Sequence, residues 1–410
     1  MNLFYTGLGI ARSLGQRGIS VVGLTAERGV YGNVSRYLDA FRCADSRKDP
    51  EILLGQLLEL GQKLGRRSVI FPTRDHDLVF LDRFRAELDP YYIPVIPSAE
   101  VLRRCLDKWE TFTWAVKAGV PTPQCWRVES ADAMRTVAYQ VTYPCVLKPV
   151  AAYHWRTADN WQAVGARKAF SVSSPEELLS EYAIVGRANP SVLVQEMVPG
   201  TDDCLVVAAC YMGRDSRCHG GFTAQKLVQS PAGFGTGCIV QSTDRPELLE
   251  RTIGLLQTLG FTGIAEVEYK WDSRDGEYKL IEINPRPWDQ HRLGGALGVD
   301  LIDLAYRDAI GVPAPGASPR FTPIKWIAED AFLLAALRCV WRRERGLGAL
   351  LRQAQGRRVY AIWSSRDPLP FVVYATRLLP QLMRMAIRPA RPVASQTPAA
   401  PEERVMRASQ

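Results

Sequence analysis

The chain has 410 residues, 47% apolar and 23% charged, with nine cysteines, four histidines and a formal net charge of +8. That length supports two or three domains, each with its own core, and the composition is that of an ordinary globular protein rather than a disordered or fibrous one. Scattered cysteines, odd in number and without a CxxC pair, argue against a disulfide framework or a zinc site and for a reducing, cytoplasmic setting.

Residues 1–105 read as an α/β domain: helix Ile10–Arg17, strand Ile19–Leu24, amphipathic helix Pro50–Leu64, strand Ser68–Phe71, helix Asp75–Leu88 and strand Tyr92–Ile96. Such alternation predicts a parallel sheet covered by helices. The opening Gly7-Leu-Gly-Ile-Ala-Arg12 resembles a glycine-rich turn before a helix, but a nucleotide fingerprint needs a preceding strand, and only six residues precede Gly7. The first strand is either vestigial or encoded upstream. No signal peptide is expected, because Met1-Asn-Leu-Phe lacks a basic start followed by an apolar core.

Residues 106–311 have another texture. Helix Asp107–Ala118, strand Cys145–Lys148, a loop Ala151–Arg167, strand Ala169–Val172 and helix Pro175–Ile184 follow in order, with Ser174 as N-cap. Strands Ser191–Glu196 and Leu205–Tyr211, the Gly233–Gly237 loop and helix Glu247–Leu259 then precede a hairpin.

The region 312–389 reads as a helical extension, with helices near Glu329–Arg343 and Gly346–Gln355, and 390–410 as a disordered Pro/Ala/Ser tail. From residue 312 onward there are 16 Arg/Lys against 6 Asp/Glu, a net of +10, so the first 311 residues carry about −2. Arg338, Arg342, Arg343, Arg345, Arg352, Arg357 and Arg358 interleave with apolar residues, and Pro370–Ile387 is similar. This basic amphipathic pattern suits an anionic membrane or a lipid-linked saccharide, and hence the inner membrane face; packing inward with an Arg-rich solvent face is the competing account. No apolar stretch is long enough to span a bilayer, and no nucleic-acid module is recognisable.

The hairpin carries the chemistry. Gly263–Trp271 and Tyr278–Arg286 flank the polar turn Asp272–Gly276. Period-2 geometry sends Ala265, Val267, Tyr269 and Trp271 one way and Glu266, Glu268 and Lys270 the other, with Ile281 and Ile283 on the core side and Glu282 and Asn284 opposite. Hard oxygens beside Arg286 suit Mg²⁺ and phosphate, although a solvated hairpin face accounts for carboxylates equally well in isolation. Lys148, inside Tyr143–Pro149, is costly unless an anion pairs with it or its stem snorkels. Val192–Gly200 followed by Asp202-Asp203 could offer backbone to an adenine edge and a carboxylate to a ribose. Only 10 residues of the chain are lysine against 41 arginines, which draws attention to those lysines.

Taken in order, Lys108, Lys148, Gln195–Val198, Asp202/Asp203, Lys226, Glu268 and Glu282-Ile-Asn-Pro-Arg286 resemble the ATP-grasp superfamily, most closely its carboxylate–amine ligases, over about residues 100–311. The resemblance implies a pre-grasp α/β domain followed by two α+β subdomains clasping ATP. It implies that Lys108, Lys148 and Lys168 bind phosphates, that Gln195, Glu196 and Val198 meet adenine, and that Asp202 or Asp203 meets ribose, with Lys226 over the nucleotide. Glu268, Glu282 and Asn284 would hold Mg²⁺ (Mn²⁺ as a substitute), Glu266 standing one step off the motif. Arg286 and Lys148 would stabilise the transferred phosphoryl group. The implied activity joins a carboxylate, such as an amino acid's, to an amine through an acyl phosphate, in a monomer or homodimer. A non-catalytic nucleotide-binding accessory of cell-envelope or surface-glycan assembly is the alternative. The sequence departs from the family where a glycine cluster is usual: Ala151–Gly165 has one glycine, with His154, Trp155 and Trp161. For substrate contacts the candidates are Arg74, at a strand's carboxyl end, Trp288 and His291; helix capping by Thr73 or Asp75 is the competing account of the Arg74 segment.

Overall fold

The computed structural model describes residues 2–165, 167–230, 235–313, 321–341 and 346–387. Ala166, residues 233 and 234 of the Gly233–Gly237 loop, Pro315 and Pro319, Arg342, Arg343 and Arg345, and the 390–410 tail lie outside them.

The N-terminal region contains α1 (Tyr5–Gly15), β1 (Val22–Thr25), β2 (Asp39–Arg42), α2 (Pro50–Leu64), β3 (Ser68–Ile70), α3 (Asp75–Arg83), α4 (Arg85–Leu88), β4 (Tyr92–Pro94) and α5 (Ala99–Leu106). Its strands pair in parallel, β1 with β2 and β3 with β4, as βα alternation requires. A cavity of about 470 Å³ opens between β1 and β3 over Ile10, Ala11 and Leu14 of α1; no candidate site residue lines it. The Gly7–Arg12 segment is not a turn: it lies inside α1. Its glycines serve packing, since a Cβ on Gly9 would come within 2.5 Å of the His291 ring. Arg12, almost wholly buried, reaches the other end of the chain, where its Nε meets Asp367 Oδ2 at 2.9 Å.

Next come α6 (Lys108–Lys117), β5 (Cys125–Val128), α7 (Ala131–Ala138), β6 (Cys145–Pro149), α8 (Ala152–Trp155), α9 (Ala158–Ala163), β7 (Phe170–Val172), α10 (Pro175–Ala188) and β8 (Val192–Glu196). The strands form an antiparallel sheet in the order β5-β8-β6-β7. Ser174 caps α10 by accepting from Glu177 N at 3.2 Å, with Pro175 at the first helical position. The segment expected as a loop after Lys148 folds instead into α8 and α9. Trp155 explains this: it is fully buried, edge-on to Phe170 at 5.7 Å, and anchors the segment to the core of this sheet.

The third part contains β9 (Leu205–Met212), β10 (Cys218–Ser230), β11 (Thr236–Thr243), α11 (Pro246–Thr258), β12 (Gly263–Asp272), β13 (Glu277–Asn284), α12 (Arg292–Ala296) and α13 (Leu301–Ala309). It continues with β14 (Lys325–Ile327), α14 (Glu329–Trp341), α15 (Leu347–Gln353), β15 (Arg358–Tyr360) and α16 (Leu369–Ile387). Seven strands form one sheet in the order β13-β12-β9-β10-β11-β14-β15. The C-terminal region is therefore helical, as expected, and also adds two strands to the main sheet. Leu350, Ala354, Ala361 and Ile362 enter the main core, while Arg352, Arg357 and Arg358 stay exposed. Among the described residues no helix is long and apolar enough to cross a membrane.

Candidate active site

The hairpin β12–β13 aligns Glu266 with Asn284, Val267 with Ile283 and Glu268 with Glu282. Alternation then buries Ala265, Val267 and Tyr269 on one side and gathers Glu266, Glu268, Glu282 and Asn284 on the other. One expectation fails here. A register shift after Glu268 pairs Tyr269 with Leu280, so Leu280 and not Ile281 joins Ile283 in the core. The extra residue of a bulge moves the side chains beyond it to the other face.

Glu266 belongs to the cluster, which its position one step off the motif had hidden. Its Oε2 accepts a hydrogen bond from Asn284 Nδ2 at 3.0 Å. Burial pushes its pKa up to about 8; Lys226 opposes this, and Glu268 and Glu282 reinforce it. Lys226 on β10 reaches across β9 to pair with Glu268. Burial alone would lower the Lys226 pKa, but Glu268 and Glu266 more than compensate and raise it.

Helix α6, strand β6 and the residues before β7 supply the facing cations. Lys108, the first residue of α6, lies 3.4 Å from Glu282 Oε2. Asp107 fixes that helix end by accepting from Glu110 N at 3.0 Å, and the Lys108 N–H donates to Val150 O at 2.9 Å. Lys148 on β6 is buried, with its ammonium 5.3 Å from the centre of the Phe112 ring. Burial first and the charge of Lys108 second lower its pKa to about 8. Lys168 is exposed as a residue, yet burial of its ammonium and then Arg156 lower its pKa. Burial would raise Glu282, but Lys108, with help from Lys148 and Arg156, leaves it lowered.

Arg286 is tied to the N-terminal region. Its Nε donates to Asp75 Oδ1 at 2.7 Å and its Nη2 reaches Asn284 Oδ1 at 3.4 Å. Arg156, from the segment after β6, meets Asp75 Oδ2 at 3.5 Å. Burial would raise the Asp75 pKa, but Arg286 and Arg156 hold it down at about 2. Asp75 thus links all three parts of the molecule. No sequence pattern connects positions 211 residues apart, so it read only as a cap. In the structure no side chain caps α3.

On β8, Gln195 is buried between β5 and β6, with its Oε1 lacking a partner. The Glu196 carboxylate is already engaged, by Gln124 N at 3.1 Å and Arg274 at 2.7 Å. Val198 is buried, Asp202 accepts from Gln229 N at 2.9 Å, and Asp203 accepts from Thr201.

The expected substrate contacts are placed elsewhere. Arg74 pairs with Asp77 at 3.2 Å and lies 3.9 Å from Asp45, inside its own domain. Trp288 is buried and stacked on Phe222 at 6.0 Å. His291 is buried too, with Nε2 3.1 Å from Thr6 O, and burial lowers its pKa to about 4. Both rings are core: the chain after Pro287 turns inward under α1 instead of lining the cleft.

Residues 203–315 match the family described as carbamoyl-phosphate synthase L chain, ATP binding domain. The structure superposes on biotin carboxylase from Campylobacter jejuni, solved with β,γ-ATP, with a TM-score of 0.61 at 18% identity, covering 77% of this chain and 70% of that one. The fold is that of the ATP-grasp proteins. Among curated relatives, D-aspartate ligase from Enterococcus faecium (strain Aus0004) is 24% identical over 252 residues, 58% of each chain. The vancomycin/teicoplanin A-type resistance protein VanA from Enterococcus faecium is 28% identical over 222 residues, 50% of this chain and 60% of its own. The chain thus matches somewhat more than half the length of each.

The donor set fits the Mg²⁺ that an ATP-grasp fold implies: Glu268 and Glu282 face each other across the hairpin, beside Asn284 and Glu266. Among the described residues no three His, Cys, Asp or Glu converge as a ready metal group, because Glu268 is turned onto Lys226 and Glu282 onto Lys108.

Proposed function

We propose that the protein is an ATP-dependent carboxylate–amine ligase that releases ADP and phosphate. One observation carries this reading: helix α6 and strand β6 bring Lys108 and Lys148 against the hairpin that carries Glu268, Glu282 and Asn284, next to Arg286. This is an arrangement for moving a phosphoryl group by charge stabilisation and positioning.

In this reading Glu268, Glu282 and Asn284 would hold Mg²⁺, which would supply positive charge to offset that of the nucleotide phosphates. Lys108, Lys148 and Lys168 bind the phosphates, and Gln195 offers its unpartnered Oε1 to the nucleotide edge between β8 and Val198. A carboxylate oxygen of the substrate attacks the γ-phosphorus, and the bond from that phosphorus to ADP breaks. Arg286, fixed by Asp75, stabilises the acyl phosphate. An amine nitrogen then attacks the acyl carbon and loses its proton, and the C–O bond to phosphate breaks. The D-aspartate ligase relative supports an amino acid as the carboxylate partner.

The test is ADP release with Mg²⁺ over a matrix of amino acids and amines. At least one pair should give turnover that depends on both members. If no pair exceeds the ATP-only rate although the protein binds ATP, the ligase reading is wrong.

A further inference from the structure

Helix α1, the loop after Pro287 and the C-terminal segment meet at a junction that phosphate chemistry leaves unused. Tyr5 stands edge-on to Trp326 at 5.7 Å and lies 6.3 Å from Tyr31, which stands edge-on to Tyr374 at 5.9 Å. Two carboxylates enter this aromatic group. Asp289 Oδ1 accepts from the Thr6 hydroxyl at 2.8 Å, and Asp330 Oδ1 accepts from the Tyr5 hydroxyl and from Ala331 N. Among the described residues neither Oδ2 receives a hydrogen bond, and neither carboxylate has a Lys or Arg partner. The neighbouring Glu329 is already committed to the backbone of Ile362 and Trp363.

A second observation points to a ligand. Tyr31 is only 8% exposed, yet its hydroxyl has no hydrogen-bond partner, and it feels the charges of Asp330, Asp289 and Glu329. An unsatisfied buried hydroxyl is destabilising, and a ligand donor would remove that penalty. The ligand chemistry follows from the walls. Carboxylates without a cationic partner, set against aromatic faces, favour an organic cation. The place is also suited to the reaction: Asp289 lies three residues beyond Arg286, and each feels the other's charge.

We propose that this junction is the acceptor subsite, seating a primary alkylammonium between Asp289 and Asp330, against Tyr5 and Tyr374, with the Tyr31 hydroxyl accepting one of its N–H bonds. The inference rests on the ligase reading and gives the C-terminal segment a role in choosing the amine.

The test uses the full chain and ethylammonium as probe, followed by ligand-observed NMR, with ATP binding and thermal melting in parallel. Tyr31→Phe removes no bond of the free protein, so its melting temperature should hold or rise while ethylammonium binding weakens about tenfold. Asp289→Asn should weaken it at least as much, and both variants should bind ATP as the wild type does. Absence of ethylammonium binding, or equal binding by all three proteins, overturns the subsite. If the variants lose ethylammonium but no substrate pair releases ADP, the subsite stands and the ligase reading falls. Turnover whose amine KM neither variant moves has the opposite meaning.

Discussion

The Arg12–Asp367 pair and the carboxylate face of the β12–β13 hairpin both bury opposite charges, and they dispose of them differently. At the first, Asp367 accepts from Arg12 Nε at 2.9 Å, Ser35 Oγ at 2.8 Å and Arg36 N at 3.1 Å, while Arg12 also donates to Ile362 O and Asp367 O. One cation meets one anion, and backbone groups and the Ser35 hydroxyl add further bonds, leaving only Arg12 Nη1 of this pair buried without a partner among the described residues. At the hairpin, like charges crowd together instead: Lys108 depresses Lys148, and Glu268 and Glu282 help to raise Glu266. A closed pair of opposite charges holds a fold together. Crowded like charges leave strain that a polyanion with its metal ion would relieve, and this distinguishes a binding face from a clamp.

Breaking the clamp should give the largest effect. Arg12→Ala leaves the Asp367 charge buried and alone, and should cost about 3–5 kcal/mol of unfolding free energy by denaturant titration. A loss below about 1 kcal/mol would mean that the clamp is no stronger than a surface pair. The hairpin should respond in the other currency. Glu282→Gln should lower ADP release by about 10²–10³-fold with little change in melting temperature. A large fall in stability with full activity would reverse the assignment of the two regions.

The smallest effect sharpens the contrast through pH. Lys148 titrates at about 8 when buried, against an ordinary 10.5. Between those values the unfolded chain still holds the proton that the folded chain has lost. Stability from this group therefore rises with pH across that window and is lost again as pH falls through about 8. Nucleotide binding should run the opposite way, since phosphate needs the charged ammonium. ATP binding should take up a proton above pH 8 and weaken by up to about tenfold per pH unit, as calorimetry in buffers of different ionisation enthalpy can show. Affinity independent of pH between 7 and 10 would place Lys148 away from the phosphates.

How legible the chain was depended on the range of each signal. Pro50–Leu64 was placed to the residue, because Pro at its first position and Gly65 after its end are local instructions. The hairpin's acidic face followed from alternation alone. Strands β10 and β11 were missed: they carry mixed polar and apolar residues, such as Cys218-His-Gly-Gly, and become strands only because β9 and β14 flank them. The bulge that displaced Ile281 leaves no mark in the sequence, since register is settled by which side chains fit the core.

By itself the sequence determined the strand–helix alternation of the first hundred residues and the hairpin face that carries Glu266, Glu268, Glu282 and Asn284, because strand alternation is local and survives without a core. Only the tertiary structure decided that Asp75 holds Arg286, that Arg12 locks Asp367, and that Trp288 and His291 face inward. Those contacts join segments hundreds of residues apart, and their partners are chosen by burial, which no short stretch of sequence can specify.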